Sequence, residues 1–213
     1  MRLEEMNVED LSRVAPICDT VVISVGALSW QPAHLPTGAS WYMVRRLRDS
    51  LERALGGRVL TLPVLNWGST EDLDALWTLS KTAQVEALGT LFSRLERHLS
   101  IRYIVLLMSE PGIETALQEV LRMTDRERLT VLSYVWWRDG LGAETVYRPA
   151  GEVATSLLLT FANRVVDLTK ESAQEHGATR ASAAWGHAVL GRLEGDLRTR
   201  VQQMWQPDDP TQA

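Results

Sequence analysis

Several side chains that can do chemistry lie close together in the stretch Ser29 to Ser40. It contains the hydroxyls of Ser29 and Ser40, the amide of Gln31 and the imidazole of His34. His34 could act as a general base toward either serine, or it could hydrogen-bond a ligand. A structural histidine that holds its own loop would look the same in the sequence. We prefer the structural interpretation, because the sequence identifies no partner for the imidazole.

Acidic side chains elsewhere could supply a proton or a negative charge to the same chemistry. Glu110 follows an apolar run, where it could act as an acid or could cap the next helix. Glu71 and Glu152 are further candidates, although most exposed glutamates have no specific role. The candidate catalytic residues are His34, Ser29, Ser40 and Glu110.

Tryptophan is abundant, with eight copies in 213 residues. Tryptophans near the ends of predicted strands could line a pocket for a flat or apolar ligand. They could equally cover the edges of the core and a subunit interface, and the sequence favours neither alternative. The candidate ligand-binding residues are Trp30, Gln31, Trp67, Trp136 and Glu152.

Strands and helices that would position these residues alternate along the chain. Apolar runs predict buried strands at residues 20–25, 59–65, 101–108 and 129–137. Apolar residues at helical spacing predict helices near residues 8–14, 40–55, 85–99, 113–121, 150–162 and 181–204. The alternation predicts the α/β class, with a three-layer α/β/α domain and a mainly parallel sheet of at least four strands.

A parallel sheet would bring the candidate residues together, because the carboxyl ends of its strands lie at one edge. We therefore expect one shared pocket at that edge. The loops expected to form it contain Ser29, Trp67, Glu110 and Trp136.

The chain shows no linker and no internal repeat, so residues 1–206 are predicted to form a single domain. Residues 207–213 are predicted to be a disordered tail, because they are short, polar and rich in proline and aspartate. The acidic and aromatic segment 71–80 is interpreted as a lid-like connector, and the polar segment 170–180 as a loop.

The composition excludes several functional classes. A formal net charge of −5 argues against nucleic acid or an anionic membrane surface as the partner. The single cysteine, Cys18, excludes an internal disulfide and a cysteine-based zinc site, and it is expected to be a small buried hydrophobe. No apolar run is long enough to span a bilayer and no signal-peptide pattern is present, so the expectation is a cytoplasmic protein.

The stretch beginning at Gly26 resembles a motif of the creatininase (creatinine amidohydrolase) family, Gly-Ser-x-Glu-x-His-Gly-x-His-Leu-Pro-x-x-Thr-Asp. Gly26 and the triplet from His34 to Pro36 match it in the same frame. In the family, the Glu, the first His and the Asp of this motif bind a pair of divalent metal ions. The resemblance implies that their positions hold Ser29, Gln31 and Ser40 here. Neutral hydroxyls and amides are poor ligands for zinc or manganese without charged partners.

Two later motifs of the family are also similar to segments of this chain. A family metal ligand, the His of Asn-Gly-His-Gly-Gly-Asn, corresponds to Glu110, and only Gly112 of that motif is kept. The family motif His-Ala-Gly-x-x-Glu-Thr-Ser corresponds to residues 149–156, where its His is replaced by Pro149 and its Glu by Ala154. Structural positions of the motifs are kept while functional positions are changed.

The resemblance implies a creatininase-like fold whose dinuclear metal site is lost, with no bound metal and no other cofactor. The first hypothesis is a non-catalytic protein that binds a small molecule, expected to be neutral or mildly anionic, or that is the partner subunit of an active enzyme. The alternative is a metal-independent amide-bond hydrolase, cyclase or lyase of specialised metabolism that uses the ancestral pocket. The resemblance also implies a homo-oligomer, commonly a hexamer.

Overall fold

The computed structural model of the protein describes residues 1–69, 76–110, 112–123 and 129–206. Its strands are short and mostly buried. Within those ranges the strands are β1 (Thr20–Val25), β2 (Val59–Thr61), β3 (Gly68–Ser69), β4 (Thr78–Leu79), β5 (Tyr103–Met108) and β6 (Thr130–Val135).

The main sheet has four parallel strands in the order β2-β1-β5-β6, and a second sheet pairs β3 with β4. Strand β1 lies at the centre and pairs with β5 over its whole length, from Thr20 opposite Tyr103 to Val25 opposite Met108. The chain leaves β1 toward β2 on one side and continues from β5 to β6 on the other. The direction of winding therefore changes between β1 and β5, and such a point leaves a crevice at the carboxyl ends of the strands.

The helices alternate with these strands as the periodicity predicts. The α-helices of the described ranges are α1 (Val8–Val14), α2 (Ala39–Leu55), α3 (Lys81–His98), α4 (Gly112–Met123), α5 (Trp136–Asp139), α6 (Glu152–Phe161), α7 (Glu171–Glu175) and α8 (Ala183–Met204). Turns of 3-10 helix occur at Leu3–Glu5 and Asn163–Val165. No helix in this part of the chain is both long and apolar enough to cross a membrane.

Helices cover both faces of the main sheet, and side chains alternate between the faces along each strand. Val22 and Leu107 point to one face, where they pack in a core with α2, α6 and α8. Ile23 and Leu106 point to the other, where they pack with α3 and α4. This arrangement confirms the predicted three-layer α/β/α architecture with a parallel sheet.

Two predicted strands end earlier than expected, and each has a local cause. The strand predicted at 59–65 ends at Thr61, because Pro63 has no N–H to pair. Beyond Thr61 the chain still meets β1 through the Leu62 N–H, which donates to the Val22 carbonyl, and through a bridge between Leu65 and Val25. The strand predicted at 129–137 ends at Val135. There the carboxylate of Asp139 accepts the Val135 N–H at 2.7 Å and the chain turns into α5.

Other predicted segments differ in detail or lie outside the described residues. The segment 170–180 contains the short helix α7 rather than being only a loop, with Ala173 fully buried as its anchor. The connector predicted at 71–80 ends in β4, but Glu71 lies outside the described residues, as does the tail 207–213. Cys18 is 1% exposed, as expected for a small buried hydrophobe.

The amino ends of the strands are closed by a cluster of polar and aromatic contacts. Arg58 donates two close hydrogen bonds to the Asp19 carboxylate, at 2.8 Å and 2.6 Å, and its guanidinium lies 4.2 Å from the ring centroid of Trp205. The indole N–H of Trp205 donates to Thr20 Oγ at 2.8 Å. The residue that follows α8 is thereby attached to the first residue of β1.

The carboxyl end of β1 meets the first turn of α2 at very close range. A Cβ atom added at Gly26 would lie 2.7 Å from the Cα of Trp41 and 2.9 Å from the carbonyl oxygen of Ser40. Only glycine fits at this distance. The tight approach places the hydroxyl-bearing first turn of α2 directly beside the end of the strand.

Candidate functional site

A cavity of about 190 Å³ opens at the carboxyl edge of the main sheet. Polar residues that follow the strands line one part of it, and aromatic residues line another. Ser29 comes after β1, Glu110 after β5 and Trp136 immediately after β6, while Ser40 lies in the first turn of α2. The cavity thus lies where the direction of winding changes between β1 and β5.

The polar part of the cavity is connected by hydrogen bonds between neighbouring side chains. The amide of Gln31 donates to Ser29 Oγ at 2.9 Å. The hydroxyl of Ser40 donates to Glu110 Oε1 at 3.1 Å. A serine hydroxyl beside a carboxylate can either orient a ligand or give up its proton to that carboxylate.

Ser109 links the polar part of the cavity to its aromatic part. Its hydroxyl donates to the Ser40 carbonyl at 3.3 Å and accepts the indole N–H of Trp136 at 3.0 Å. Its carbonyl accepts the indole N–H of Trp137 at 2.8 Å. Both indole rings are therefore held at fixed positions by a single residue after β5.

Tyr147 completes the aromatic part of the cavity. Its ring stacks on Trp137 with centroids 5.1 Å apart and an interplanar angle of 13°, and it meets Trp136 edge-on at 5.2 Å. Burial raises the pKa of the Tyr147 phenol, and the negative charge of Glu110 raises it further. The phenol is thus a neutral hydrogen-bond donor at ordinary pH.

Pro149 and Ala150 form another part of the cavity wall. Ala150 has a φ of 56°, which lies in the left-handed region, and it is the one non-glycine residue of the described chain with positive φ. An L-residue with a Cβ adopts this conformation at a cost, so that surrounding contacts must hold it there.

His34 supplies one of those contacts, from behind the cavity wall. The imidazole is 0% exposed, and its Nε2 lies 3.0 Å from the Ala150 carbonyl oxygen while its Nδ1 lies 3.1 Å from Ser172 Oγ. Burial lowers the pKa of His34, and the nearby His176 ring lowers it further against the opposite effect of the Ala150 carbonyl. The imidazole does not border the cavity.

The predicted site residues fall into two groups. One group does not line the cavity. Trp30 is 68% exposed, Trp67 packs against the core on the α3 and α4 side, and the Glu152 carboxylate lies 3.4 Å from the Arg180 guanidinium. Trp67 therefore does not share the pocket that its strand-end position predicts. The predicted residues that do line one cavity are Ser29, Gln31, Ser40, Glu110 and Trp136.

Ser109 and Tyr147 line the cavity but were not among the candidates. Ser109 directly follows β5, so the rule that selected Glu110 as a strand-end residue could have selected it as well. Tyr147 belongs to the irregular segment between α5 and α6 and carries no periodic signal. Its place in the site depends on stacking against Trp137, which a sequence pattern does not reveal.

The donor atoms around the cavity are mostly neutral. In the described ranges no three or more His, Cys, Asp and Glu side chains come close enough together to hold a metal ion. At the positions that the motif resemblance assigns to metal ligands, the cavity contains two hydroxyls, one amide and the carboxylate of Glu110.

Comparison with known proteins gave consistent matches. A profile of the family described as Creatinine amidohydrolase (Creatininase) matches residues 4–209. The fold is similar to that of a mutant creatininase complexed with creatine, with a TM-score of 0.76 at 18% identity over 97% of this chain and 99% of that one. It is also similar to a putative creatinine amidohydrolase from Bacteroides fragilis NCTC 9343, with a TM-score of 0.78 at 14% identity over 98% of each chain. A search of curated protein sequences found no match.

Proposed function

This chain belongs to the creatininase (creatinine amidohydrolase) family, and we propose that it binds a small organic molecule at the carboxyl edge of the sheet without the family's pair of metal ions. The observation that carries the proposal is the hydrogen-bonded cavity itself. Ser29, Gln31 and Ser40 stand at the positions that the motif assigns to metal ligands, and they bond to one another or to Glu110.

The donor set of the cavity does not fit two divalent ions. Zinc and manganese sites in proteins are built from carboxylates, imidazoles or thiolates, several of which carry a negative charge. Glu110 is the single group of this kind among the residues lining the cavity, and hydroxyls and an amide would leave most of the charge of two ions uncompensated. We therefore derive no step of the function through a metal.

The charge and shape of the cavity favour a neutral or cationic ligand over the mildly anionic one expected from the motif. None of the described residues that line the cavity is basic, whereas Glu110 offers a carboxylate. The stacked rings of Trp137 and Tyr147 offer flat faces, and such faces attract cations as well as planar groups. A planar ligand that carries a hydrogen-bond donor or a positive charge matches both features.

A series of probes that differ mainly in charge tests this proposal. Methylguanidinium, N-methylurea and acetate are similar in size, and we expect binding by calorimetry to weaken in that order. Glu110→Gln should weaken methylguanidinium at least about fivefold, since it removes a charge-assisted hydrogen bond. Glu144→Gln, an exposed glutamate outside the cavity, is the matched control. Preferential binding of acetate would contradict the proposal.

Elemental analysis tests the metal-independent part of the proposal. Protein purified without chelator should contain no stoichiometric zinc or manganese, because the donor set is too weak to retain them. Calcium or magnesium would also be measured, since hard oxygen ligands suit them better. A content near two metal ions per chain that is lost in Ser40→Ala would refute it.

A metal-independent enzyme is the second candidate, favoured by the hydrogen bond from Ser40 to Glu110 at 3.1 Å. In such an enzyme Glu110 would accept the proton of Ser40 as the serine attacks an amide carbonyl. His34, the base considered from the sequence, is bonded to Ala150 instead. Covalent labelling of Ser40 by a fluorophosphonate would favour this candidate over the non-catalytic one. Absence of labelling together with methylguanidinium binding would favour the non-catalytic protein.

We also propose that the chain assembles with further copies of itself or with an active enzyme. Large apolar side chains at its surface support this, because Trp30 and Trp77 are both more than half exposed. The two segments that carry them are neighbours, since the Leu76 N–H donates to the Leu28 carbonyl. Light scattering at micromolar concentration should show a species larger than 23.9 kDa, and a hexamer is the expected form. A purely monomeric species would contradict the homo-oligomer.

A further inference from the structure

We infer that His34 is a positioning residue of the cavity: from behind the wall, it holds the Ala150 peptide in its left-handed conformation. The wall is the surface against which a ligand of the proposed site would lie, and to that extent the inference rests on the proposed function. The hydrogen-bond network around His34 and the backbone of Ala150 carry it.

The network around the imidazole is consistent with one tautomer. A carbonyl oxygen can only accept, so Nε2, which lies 3.0 Å from the Ala150 oxygen, must carry the proton. Nδ1 is then an acceptor and receives the hydroxyl proton of Ser172 at 3.1 Å. The Ser172 oxygen in turn accepts the backbone N–H of His34 at 3.1 Å, so each group has a compatible partner.

The Ala150 carbonyl has a second, weaker donor. Thr155 Oγ1 lies 3.3 Å from the same oxygen and 3.4 Å from Nε2 of His34. With the proton on Nε2, the His34 imidazole and the Thr155 hydroxyl both donate to the Ala150 carbonyl. The loop after β1 and helix α6 therefore hold the same peptide. Thr155 lies on α6, directly after the turn that it helps to fix.

The same histidine ties the turn to a distant part of the chain. Its carbonyl accepts the N–H of Asp167 at 3.0 Å, and its imidazole reaches Ser172 on α7. The loop after β1, the turn before α6 and the segment around α7 thus meet at one fully buried side chain. Because Ala150 lines the cavity and His34 does not, His34 acts on the site through that peptide rather than by touching a ligand.

Two conservative variants separate the bond to Ala150 from the bond to Ser172. In His34→Gln the terminal amide can take the place of Nε2 and still donate to the Ala150 carbonyl. In His34→Asn the shorter side chain can replace only Nδ1, so that the bond to Ser172 is kept and the bond to Ala150 is lost. The two variants are matched in chemistry and differ in which bond remains.

Hydrogen exchange of the Gly151 amide measures whether the turn is held, because this amide donates to the Arg148 carbonyl across it. We expect exchange to rise about tenfold in His34→Asn and to stay within about threefold of the wild type in His34→Gln. The Nε2 proton of His34 itself should be visible by NMR as a slowly exchanging signal at pH 7. Equal exchange in the two variants would overturn the inference.

Adding Ala150→Gly provides the decisive comparison. Glycine adopts positive φ without penalty, so the turn no longer depends on the bond from His34. In the double variant with His34→Asn, exchange of the Gly151 amide should therefore fall back toward the wild-type rate. If Ala150→Gly leaves the effect of His34→Asn unchanged, the strained backbone is not what His34 holds. Should His34→Asn fail to fold, Thr155→Val takes its place, because it removes the other donor to the Ala150 carbonyl. Gly151 exchange should then rise by about threefold, and no rise would count against the inference that donors to this carbonyl hold the turn.

Hydrogen exchange needs no ligand, so it separates this inference from the proposed function. If exchange behaves as expected but methylguanidinium does not bind, His34 holds the turn and the proposed ligand chemistry is wrong. If methylguanidinium binds but exchange is the same in all variants, the proposed function stands and the inference fails. When both hold, His34→Asn should weaken methylguanidinium more than His34→Gln does.

Discussion

The two ends of the parallel sheet are built differently, although they belong to the same strands. At the amino end, Arg58 is paired with Asp19 and covered by the ring of Trp205. At the carboxyl end, Glu110 faces a cavity and accepts a hydrogen bond from a neutral hydroxyl, that of Ser40. Opposite charges meet at the closed end, whereas hydroxyls, an amide and a carboxylate meet at the open end.

The difference shows how one sheet can separate stability from binding. Paired charges that are partly covered by aromatic rings hold elements together and offer little to a ligand. A carboxylate bonded to a hydroxyl keeps acceptor capacity that a ligand can use. The comparison therefore predicts that changes at the amino end alter stability alone, whereas changes at the carboxyl end divide into those that disturb packing and those that disturb binding.

The largest effect is expected at the carboxyl end, from Gly26→Ala. The new Cβ would lie 2.7 Å from the Trp41 Cα, so β1 and α2 must move apart, and a loss of about 2–3 kcal/mol in the free energy of unfolding is expected. Urea denaturation measures it. Gly89→Ala, inside α3 with no atom within 4 Å of the new Cβ, should instead stabilise by about 0.5–1 kcal/mol. A neutral Gly26→Ala would mean that the open end is loosely packed.

Trp205→Ala should have the next largest effect, at the amino end. It removes the ring over Arg58 and the bond to Thr20, and we expect a loss of about 2 kcal/mol in urea denaturation. Trp205→Phe keeps a ring over the guanidinium but loses the N–H donor, so its loss should be about half as large. Methylguanidinium binding should not change in either variant. A change in binding would break the proposed separation of the two ends.

The two ends should also respond to different pH ranges. Burial lowers the pKa of His34, so stability is constant above the unfolded value of about 6.5 and falls as pH drops from there toward the lowered folded pKa. At the amino end, burial alone would raise the pKa of Asp19, but the bonds from Arg58 and Thr20 outweigh it and lower the pKa. That contribution is lost only as pH falls below about 4.

Urea denaturation from about pH 2 to about pH 8 tests these two ranges. His34→Gln should remove the dependence near pH 6 and leave the acid limb unchanged. Asp19→Asn should do the reverse. An unchanged profile near pH 6 in His34→Gln would show that the imidazole does not titrate differently in the folded and unfolded protein.

Ser40→Ala should have the smallest effect on stability. The Ser40 hydroxyl makes one hydrogen bond to a partly exposed carboxylate, so the loss should be below about 1 kcal/mol. Binding of methylguanidinium should stay within about threefold of the wild type, because Glu110 keeps its charge. Calorimetry measures both the binding and, by comparison with Glu110→Gln, whether the charge or the hydroxyl matters more.

Much of the fold could be predicted because it depends on periodicity. The runs at β1 and β5 are mostly apolar and therefore predict strands buried on both faces. The rule that parallel strands end at one edge then places Ser29, Glu110 and Trp136 in one cavity. The same rule selected Trp67, but there it fails. The strand before Trp67 ends early, and the Trp67 side chain packs on the α3 and α4 side instead.

The role of His34 could not be predicted, because its partners are far away in the sequence. Ser172 is 138 residues and Ala150 is 116 residues further along the chain. A motif shows that a histidine is present but not which way its ring points. Tyr147 was missed for a similar reason, since its stacking on Trp137 arises from an irregular segment without periodicity.

The contact between Trp205 and Thr20 has a consequence for how the protein is made. These residues are 185 positions apart, so β1 leaves the ribosome long before the side chain that closes its amino end. At about 5–20 residues per second, the intervening chain takes roughly 10 to 40 seconds to synthesise. During that interval the amino end of β1 is not covered by the Trp205 side chain that follows α8. A chaperone that shields apolar strands during translation would therefore have its greatest effect on this protein before residue 205 has emerged.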